Sequence, residues 1–220
     1  MLENRKIVVT GANGGLGRTV CEIAESLGAA TVRLDLAFAE PADNRHAVDL
    51  TEPAATAAVL ARAGDYEAVF NIAGGFAMGA DTWEADDSDW ARLFALNVTT
   101  LRTVLKSAVP HLLQRGGGNI VNVGAYGALQ GQGAMSAYCA SKSVVMRLTE
   151  SLAEEVRERG VNVNAVLPTV IDTAVNREAM PDVDPAQWVA PADLARVICF
   201  LGSTSARAVH GALVPVRGLS

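Results

Sequence analysis

The glycine-rich loop near the amino terminus reads Thr10-Gly11-Ala12-Asn13-Gly14-Gly15-Leu16-Gly17. It follows an apolar, strand-like segment at residues 6–10 and opens a helical pattern. In such a loop Gly11 allows the tight turn, Gly15 lets the backbone approach a pyrophosphate, and Gly17 lets the helix pack on the strand. An ordinary glycine turn is the alternative. The order strand, turn, helix favours a dinucleotide whose phosphates meet the helix N-terminus.

Apolar segments rich in β-branched residues alternate with helical patterns along the whole chain. Strands that are apolar throughout are buried on both faces, which is typical of a parallel sheet covered by helices. The alternation predicts an α/β fold: a doubly wound parallel sheet of the Rossmann type, with about seven strands and helices on both faces. The predicted strands are residues 6–10, 31–36, 66–72, 119–123, 162–167 and 212–216, with a weaker strand at 47–50. The predicted helices lie near residues 16–27, 53–63, 88–114, 137–159 and 192–201.

Breaks in the second half of the chain divide it into elements. Ser88 is placed to cap the helix at 88–114, and Pro110 is expected to kink that helix near its end. The glycines at 116–118 then separate it from the next strand. Residues 169–190 have weak periodicity and contain two prolines, so we expect a mobile loop or a small lid beside the site.

Length and composition limit the class of protein. The 220 residues, 50% of them hydrophobic, suit one domain spanning residues 1–220 with a full core. A net charge of −6 argues against nucleic acid as a partner, because binding it needs a basic face. The apolar runs are too short to span a membrane, and no signal region precedes the first strand, so a cytoplasmic protein is expected.

Neither a metal site nor a disulfide framework is expected. The three cysteines are odd in number and far apart, and the three histidines lack ligand-like spacing to carboxylates or cysteines. These residues are Cys21, Cys139, Cys199, His46, His111 and His210. Unpaired thiols suit a reducing compartment, in keeping with a cytoplasmic location.

Asp35 follows Gly17 by 18 residues, at the end of the second predicted strand. A carboxylate there can accept hydrogen bonds from both hydroxyls of an adenosine ribose, and it would repel a 2′-phosphate. Residues 12–14 of the loop contain no basic residue to attract that phosphate. Arg18 and Arg33 are nearby in sequence, but Arg18 lies past the last glycine and Arg33 can point to either face. The pattern favours NADH over NADPH.

Tyr138 and Lys142 lie in the segment Ser136-Ala137-Tyr138-Cys139-Ala140-Ser141-Lys142. At i and i+4 of a helix they share one face. An ammonium beside a phenol is expected to lower the pKa of the phenol toward neutrality, making Tyr138 a proton donor or acceptor. Alone, this spacing is common and fits a solvated helix face, but together with the loop and Asp35 it predicts a nicotinamide oxidoreductase acting on a small molecule.

With these residues the chain resembles the short-chain dehydrogenase/reductase family nearly end to end. The likeness includes residues 10–17, Asp35, Asp49, residues 71–74, Asn97, Tyr138, Lys142, Pro168 and Thr173. Two departures lie at Ile72, where a second asparagine is usual, and at Thr169, where a glycine usually follows the proline. Neither removes an obvious catalytic atom.

The resemblance implies specific roles for these positions. Tyr138, Lys142 and Asn97 would be catalytic, with Asn97 organising a proton-relay water. Asp49 and Leu50 would hold adenine, Lys142 would also bind the nicotinamide ribose, and Thr173 would touch the carboxamide. The implied cofactor-binding set is Gly11, Asn13, Gly15, Leu16, Gly17, Asp35, Asp49, Leu50, Asn71, Ala73, Gly74, Tyr138, Lys142, Pro168, Val170 and Thr173.

Ala125 is the main departure from the family pattern. The family's serine normally lies 13 residues before the tyrosine, which is the position of Ala125. Its hydroxyl stabilises a substrate oxygen where charge develops, so its absence should cost a carbonyl reductase a few kcal/mol of transition-state stabilisation. Ser136 and Ser141 are not at the equivalent place, and the hydroxyl of Tyr126 projects much farther.

A narrower resemblance, to dihydropteridine reductases, accounts for this alanine. Those short family members use NADH and carry alanine at this position. The similar blocks are residues 73–77, 124–131 and 166–173, continuing through 176–177, 180–181 and Trp188. Asn97 departs from that subgroup. A quinonoid dihydropterin is reduced at a conjugated C=N system, so no alkoxide requires a serine. Candidates for stacking on it, each also suited to core packing, are Phe76, Met78, Trp83, Trp90, Tyr126 and Trp188.

Two other functions stay open at this point. One is a general carbonyl or alcohol oxidoreductase that tolerates Ala125, and the other is a weakly catalytic dinucleotide-binding sensor. The intact Tyr138, Lys142 and Asn97 argue against the sensor, which needs no proton relay.

The two long predicted helices suggest self-association. Both carry apolar residues on more than one face, so a second face could pair with its symmetry mate in a homodimer or homotetramer, as the family resemblance implies. Examples are Leu93, Leu96, Leu101, Leu105, Val144, Val145 and Leu148.

Overall fold

The computed structural model describes residues 1–219 and contains one seven-stranded parallel sheet. The strand order is β3-β2-β1-β4-β5-β6-β7, so the chain winds outward in both directions from β1. This confirms the predicted doubly wound α/β fold. The strands are β1 Lys6–Thr10, β2 Ala30–Asp35, β3 Arg45–Ala47, β4 Ala68–Asn71, β5 Gly118–Val123, β6 Val161–Pro168 and β7 Leu213–Val216.

Helices cover both faces of the sheet. They are α1 Gly15–Ser26, α2 Pro53–Ala63, α3 Asp87–Phe94, α4 Thr100–Gln114, α5 Ser136–Val156, α6 Ala174–Ala179 and α7 Pro191–Leu201. Successive residues of β1 point to opposite faces: Ile7 and Val9 pack in the core under α1 and α7, while Val8 packs in the core under α2, α4 and α5. This two-sided burial is why the strands read as continuous apolar runs.

The glycine-rich loop joins β1 to α1 where the sheet order diverges. Gly11 has φ +64°, and a Cβ there would lie 2.7 Å from the backbone nitrogen of Ala73. A Cβ on Gly17 would lie 2.0 Å from the carbonyl oxygen of Gly11, so only glycine allows α1 to begin this close to the turn. The Thr10 hydroxyl accepts hydrogen bonds from the N–H groups of Ile72 and Ala73, each at 3.1 Å, and fixes the loop after β4 beside it.

The structure differs in two ways from the predicted single helix at residues 88–114. Its cap is Asp86, whose carboxylate accepts a hydrogen bond from the Ser88 N–H at 2.7 Å, so the prediction of Ser88 as the cap is wrong. A π-helical turn at Ala95–Thr99 divides α3 from α4. Such turns often mark functional sites, and Asn97 lies within this one. Helix α4 continues through Pro110 to Gln114.

The third strand and the segment 169–190 also refine the predictions. Strand β3 lies at Arg45–Ala47 rather than 47–50, because its pairing with β2 ends at Asp35 and the chain then turns toward α2. Segment 169–190 contains α6, a short 3₁₀ turn and a bridge between Ile171 and Val189. That it is a mobile loop or a small lid beside the site stays a prediction. Across residues 1–219, no helix is both long and apolar enough to cross a membrane.

Candidate active site

Lys142 lies in the second turn of α5 and reaches the carboxyl edge of the sheet. Its side chain is buried, and its Nζ donates a hydrogen bond of 2.8 Å to the carbonyl of Val123, the last residue of β5. Burial lowers the pKa of this ammonium to about 8, because desolvation disfavours the charged form. The group is therefore still charged at neutral pH and titrates just above it.

Tyr138 lies one turn earlier on α5 and is half-buried. Burial raises the pKa of its phenol to about 12, with a smaller contribution from Cys139. The prediction that Lys142 lowers this pKa is wrong for the chain alone, because the ammonium is directed at Val123 and desolvation outweighs it. The ring of Phe76 contacts Tyr138 edge-on, with centroids 4.9 Å apart. Tyr138 thus keeps its proton at neutral pH and suits the role of proton donor.

Asn97 holds the loop after β4 against α5. Its Oδ1 accepts from the Gly75 N–H at 2.8 Å, and its Nδ2 donates to the Gly75 carbonyl and to the Ser141 hydroxyl, each at 3.0 Å. Both amide protons are therefore used, and any relay water at Asn97 would have to bind its backbone or the remaining lone pair of Oδ1. The relay role stays a prediction.

Ser141 is a contributor that the sequence reading did not select. Its hydroxyl donates to the Tyr138 carbonyl at 2.9 Å and accepts from Asn97, so it links the π-helical turn to the catalytic helix. The available signal was its position between Tyr138 and Lys142. That signal alone does not separate it from a serine satisfying its own helix.

Ala125 forms an apolar wall where the family's serine would lie. Its side chain is 4% exposed and belongs to a cluster with Met146 and Leu167, against which Tyr138 also packs. Of the nearby hydroxyls, that of Ser141 is engaged as described, and that of Tyr126 accepts from Arg217 at 3.3 Å. The Arg217 guanidinium also lies over the Tyr126 ring, 4.6 Å from its centroid, a cation that the sequence reading did not select.

The predicted cofactor residues lie around the carboxyl edge of the sheet. They end or follow β1, β2, β3, β4 and β6, or lie on α1 and α5, as the fold requires for ligands of doubly wound sheets. Leu16 is buried in the core, so only its backbone can face a ligand. Thr173 packs against the start of α1, because a Cβ on Gly15 would lie 3.3 Å from its methyl group.

Gly74 lets the loop after β4 come close to two polar side chains, because a Cβ there would lie 2.7 Å from Asn97 Oδ1 and 3.2 Å from Lys142 Nζ. At the other end of the site, the N-terminus of α1 has no side-chain cap, since its N-cap residue is Gly14. Backbone N–H groups at such a helix N-terminus suit the phosphates of a dinucleotide. The residues present therefore fit a dinucleotide cofactor.

Asp35 and Arg33 lie at the end of β2, where the sequence predicts the adenosine ribose. The Asp35 carboxylate accepts hydrogen bonds from the N–H groups of Asn13, at 2.8 Å, and Leu36, at 2.7 Å. Arg33 instead pairs with Glu25 of α1 through two hydrogen bonds of 2.8 and 2.9 Å, so its guanidinium is held at α1, away from Asp35. At the end of β3, Asp49 binds the N–H and hydroxyl of Thr51, which lowers the pKa of its carboxyl.

The side chains predicted to stack on a flat substrate lie in different surroundings. Phe76 contacts Tyr138, while Met78 and Trp83 are exposed, Trp83 at 80%. Trp90 stacks on Phe94 and Trp188 is buried, so these two serve packing. Within residues 1–219 no cluster of three or more His, Cys, Asp or Glu could hold a metal ion.

Comparison with known proteins gives matches along most of the chain. A family model for short chain dehydrogenases matches residues 5–184. The 2-(S)-hydroxypropyl-CoM dehydrogenase 3 of Xanthobacter autotrophicus is 32% identical over 249 residues, covering 99% of this chain and 96% of that protein. The cis-4-hydroxycyclohexanecarboxylate dehydrogenase of Sinomonas cyclohexanicum is 33% identical, covering 97% and 95%. A 3-oxoacyl-(acyl-carrier protein) reductase from Brucella melitensis, solved with bound NAD, superposes with a TM-score of 0.88 at 26% identity, covering 98% and 90%.

Replacing the two residues on α5 should separate chemistry from binding. Tyr138→Phe should keep NADH affinity within about twofold while lowering kcat by roughly 100-fold or more, the usual contribution of a general acid. Lys142→Ala should impair both, because the family resemblance gives this residue a role in binding the nicotinamide ribose as well as in proton transfer. Fluorescence titration and steady-state turnover measure the two effects, with Ser143→Ala on the same helix as control. Wild-type turnover by Tyr138→Phe would mean that the proton comes from elsewhere.

Proposed function

The chain belongs to the short-chain dehydrogenase family, whose members are NAD(P)-dependent oxidoreductases of small molecules, and we propose that it is an NADH-dependent reductase of a conjugated substrate. The observation that carries this proposal is the pairing of one protonated donor with an apolar wall. Tyr138 keeps its proton at neutral pH, and Ala125 offers no second donor.

The proposed reaction adds one hydride and one proton to the substrate. A bound NADH supplies the hydride at its nicotinamide ring. Tyr138 donates its phenolic proton to the substrate atom that gains negative charge, and it is reprotonated from solvent. Lys142 binds the nicotinamide ribose and, one helical turn away, stabilises the phenolate while it exists.

A quinonoid dihydropterin is the substrate that we propose. Reduction of its conjugated C=N system spreads the developing charge over the heterocycle, so a single proton donor is sufficient. The apolar wall at Ala125 and the edge of Phe76 suit a flat ring. The likeness of residues 124–131 and 166–173 to dihydropteridine reductases supports the same choice.

A secondary alcohol or its ketone is the second candidate, favoured by the names of the relatives. The Xanthobacter and Sinomonas proteins are both named as dehydrogenases of hydroxylated compounds, and the second name specifies a carboxylate. Tyr138 would then act without a second hydroxyl.

We further propose that residues 1–220 act as one domain in the cytoplasm. A single sheet runs through the described chain. Its cysteines Cys21, Cys139 and Cys199 are all buried free thiols, which suits a reducing compartment.

Cofactor preference tests the proposed role of Asp35. NADH should bind at least about tenfold more tightly than NADPH, worth roughly 1.4 kcal/mol, because the carboxylate repels a 2′-phosphate. Asp35→Asn should remove most of this difference while keeping the acceptor for the Asn13 N–H. Asp43→Asn, an exposed aspartate after the same strand, is the matched charge control. Equal binding of both cofactors by the wild type would show that Asp35 does not select.

Substrate choice tests the proposed role of Ala125. The wild type should reduce a quinonoid dihydropterin with a kcat/KM orders of magnitude above that for simple ketones. Ala125→Ser should raise kcat/KM for ketones more than for the pterin, because only the ketone transition state gains a useful hydrogen bond. Ala128→Ser, buried in the same cluster, is the control. Efficient ketone reduction without pterin activity would reject the pterin and leave the second candidate.

Assembly through α4 and α5 is the last proposal from the family likeness. Of the apolar residues predicted on the two long helices at 88–114 and 137–159, three are buried within the chain: Leu93 on α3, Leu101 on α4 and Val145 on α5. Four remain partly exposed: Leu96, Leu105, Val144 and Leu148. Light scattering at micromolar concentration should give a dimer or tetramer, and Leu148→Glu should dissociate it while Val175→Glu on α6 does not. A monomeric wild type would reject this interface.

A further inference from the structure

A small cavity lies beneath the catalytic lysine, between β1, β4 and β5 on one side and α4 and α5 on the other. Its volume is ≈ 10 Å³. One water needs roughly 10–15 Å³ measured this way, together with two to four polar partners. The polar side chains that line it are Thr10, Asn71, Asn97, Thr100, Asn122 and Lys142. The cavity therefore has the size and the polarity of a single hydration site.

A buried hydrogen-bond chain fixes the orientation of one amide at this cavity. The Thr149 hydroxyl donates to the Val145 carbonyl at 2.9 Å, so it must accept from Asn122 Nδ2, also at 2.9 Å. The Asn122 oxygen then faces Asn71 and accepts from its Nδ2 at 2.9 Å. Asn71 Oδ1 consequently points away from this series of hydrogen bonds. Flipping either amide would bring two like groups together.

Asn71 Oδ1 is an acceptor without a hydrogen-bond partner among residues 1–219. Its residue is 6% exposed and lines the cavity together with Lys142, whose ammonium carries three protons. One of those protons goes to the Val123 carbonyl. The side-chain amide of the neighbouring Asn97 is less available to a water, because it already forms hydrogen bonds with Gly75 and Ser141.

We propose that the cavity binds one water, which accepts a proton of the Lys142 ammonium and donates to Asn71 Oδ1. Asn71 is then a positioning residue: with Val123 it holds two of the three ammonium protons and leaves the third for the cofactor ribose. The water site stands on the cavity alone, whereas its importance to turnover rests on the proposed function.

The surroundings of Lys142 make this acceptor influential. No aspartate, glutamate, arginine or histidine lines the cavity from β1, β4, β5, α4 or α5. The titratable neighbour on its own helix is Tyr138, which stays neutral through the pH range in question. Oriented dipoles, rather than opposite charges, therefore stabilise the ammonium, and removing one of them should make Lys142 lose its proton at lower pH.

The test combines a crystal structure with NADH binding measured against pH. A high-resolution structure of the wild type should show a water within hydrogen-bond distance of both Lys142 Nζ and Asn71 Oδ1. NADH binding should weaken as pH rises through the Lys142 pKa. Asn71→Leu should move this weakening to lower pH, and Asn71→Asp should move it higher by about one pH unit. Asn119→Ser, a buried asparagine at the opposite end of β5, should leave it unchanged.

The outcomes separate this proposal from the proposed function. NADH binding needs no substrate, so the pH shifts can be read even if no pterin or ketone is turned over. An empty cavity in the wild-type crystal, or the same pH dependence in both Asn71 variants, would overturn the proposal. If Asn71→Leu fails to fold, the wild-type structure and Asn71→Asp still decide.

Discussion

The burial of the Lys142 ammonium is the constraint around which the active site is built. A charged amine out of water is costly unless it finds an acceptor, and here the Lys142 ammonium donates to the backbone carbonyl of Val123 rather than to a carboxylate. This bond of 2.8 Å joins α5 to the end of β5. The loop after β4 also comes close to the ammonium. A side chain on Gly74 would collide with Asn97 Oδ1, 2.7 Å from its Cβ position.

The π-helical turn follows from the same packing. Asn97 lies in the widened turn between α3 and α4 and contacts both Gly75 and Ser141 from there. The π-helical turn thus connects three parts of the fold: the loop after β4, the helical segment from α3 to α4, and α5. Hydrogen bonds of the Asn97 side-chain amide offset the cost of this irregular turn. One of them, to Ser141, attaches the turn to α5, the helix that carries both Tyr138 and Lys142. A site held in this way can keep a neutral phenol and a marginally charged amine one turn apart.

Sequence alone predicted the parts of this arrangement that depend on backbone sterics and strand burial. Gly11 and Gly17 are required by contacts that any side chain would violate, so their spacing predicted the loop correctly. Asp35 was predictable as the last residue of the second strand, and its role at an adenosine ribose stays a prediction. The direction of Arg33 was not, since it depends on Glu25 of a different element. The pKa of Tyr138 was also out of reach, because it depends on how much neighbouring chain covers the ring, and spacing along a helix contains no such information.

Ala125 shows how one missing atom limits the chemistry of an otherwise ordinary site. A ketone concentrates its developing charge on a single oxygen, and with Tyr138 as the lone donor that charge would be only half compensated. A conjugated system distributes the charge, so an apolar wall at Ala125 adds dispersion contact without withholding a needed hydrogen bond. Because Ala125, Met146 and Leu167 form one buried cluster with the Tyr138 ring against it, that wall is part of the core. The proposed preference for a delocalised acceptor would therefore follow from the same packing that positions Tyr138, the proposed proton donor.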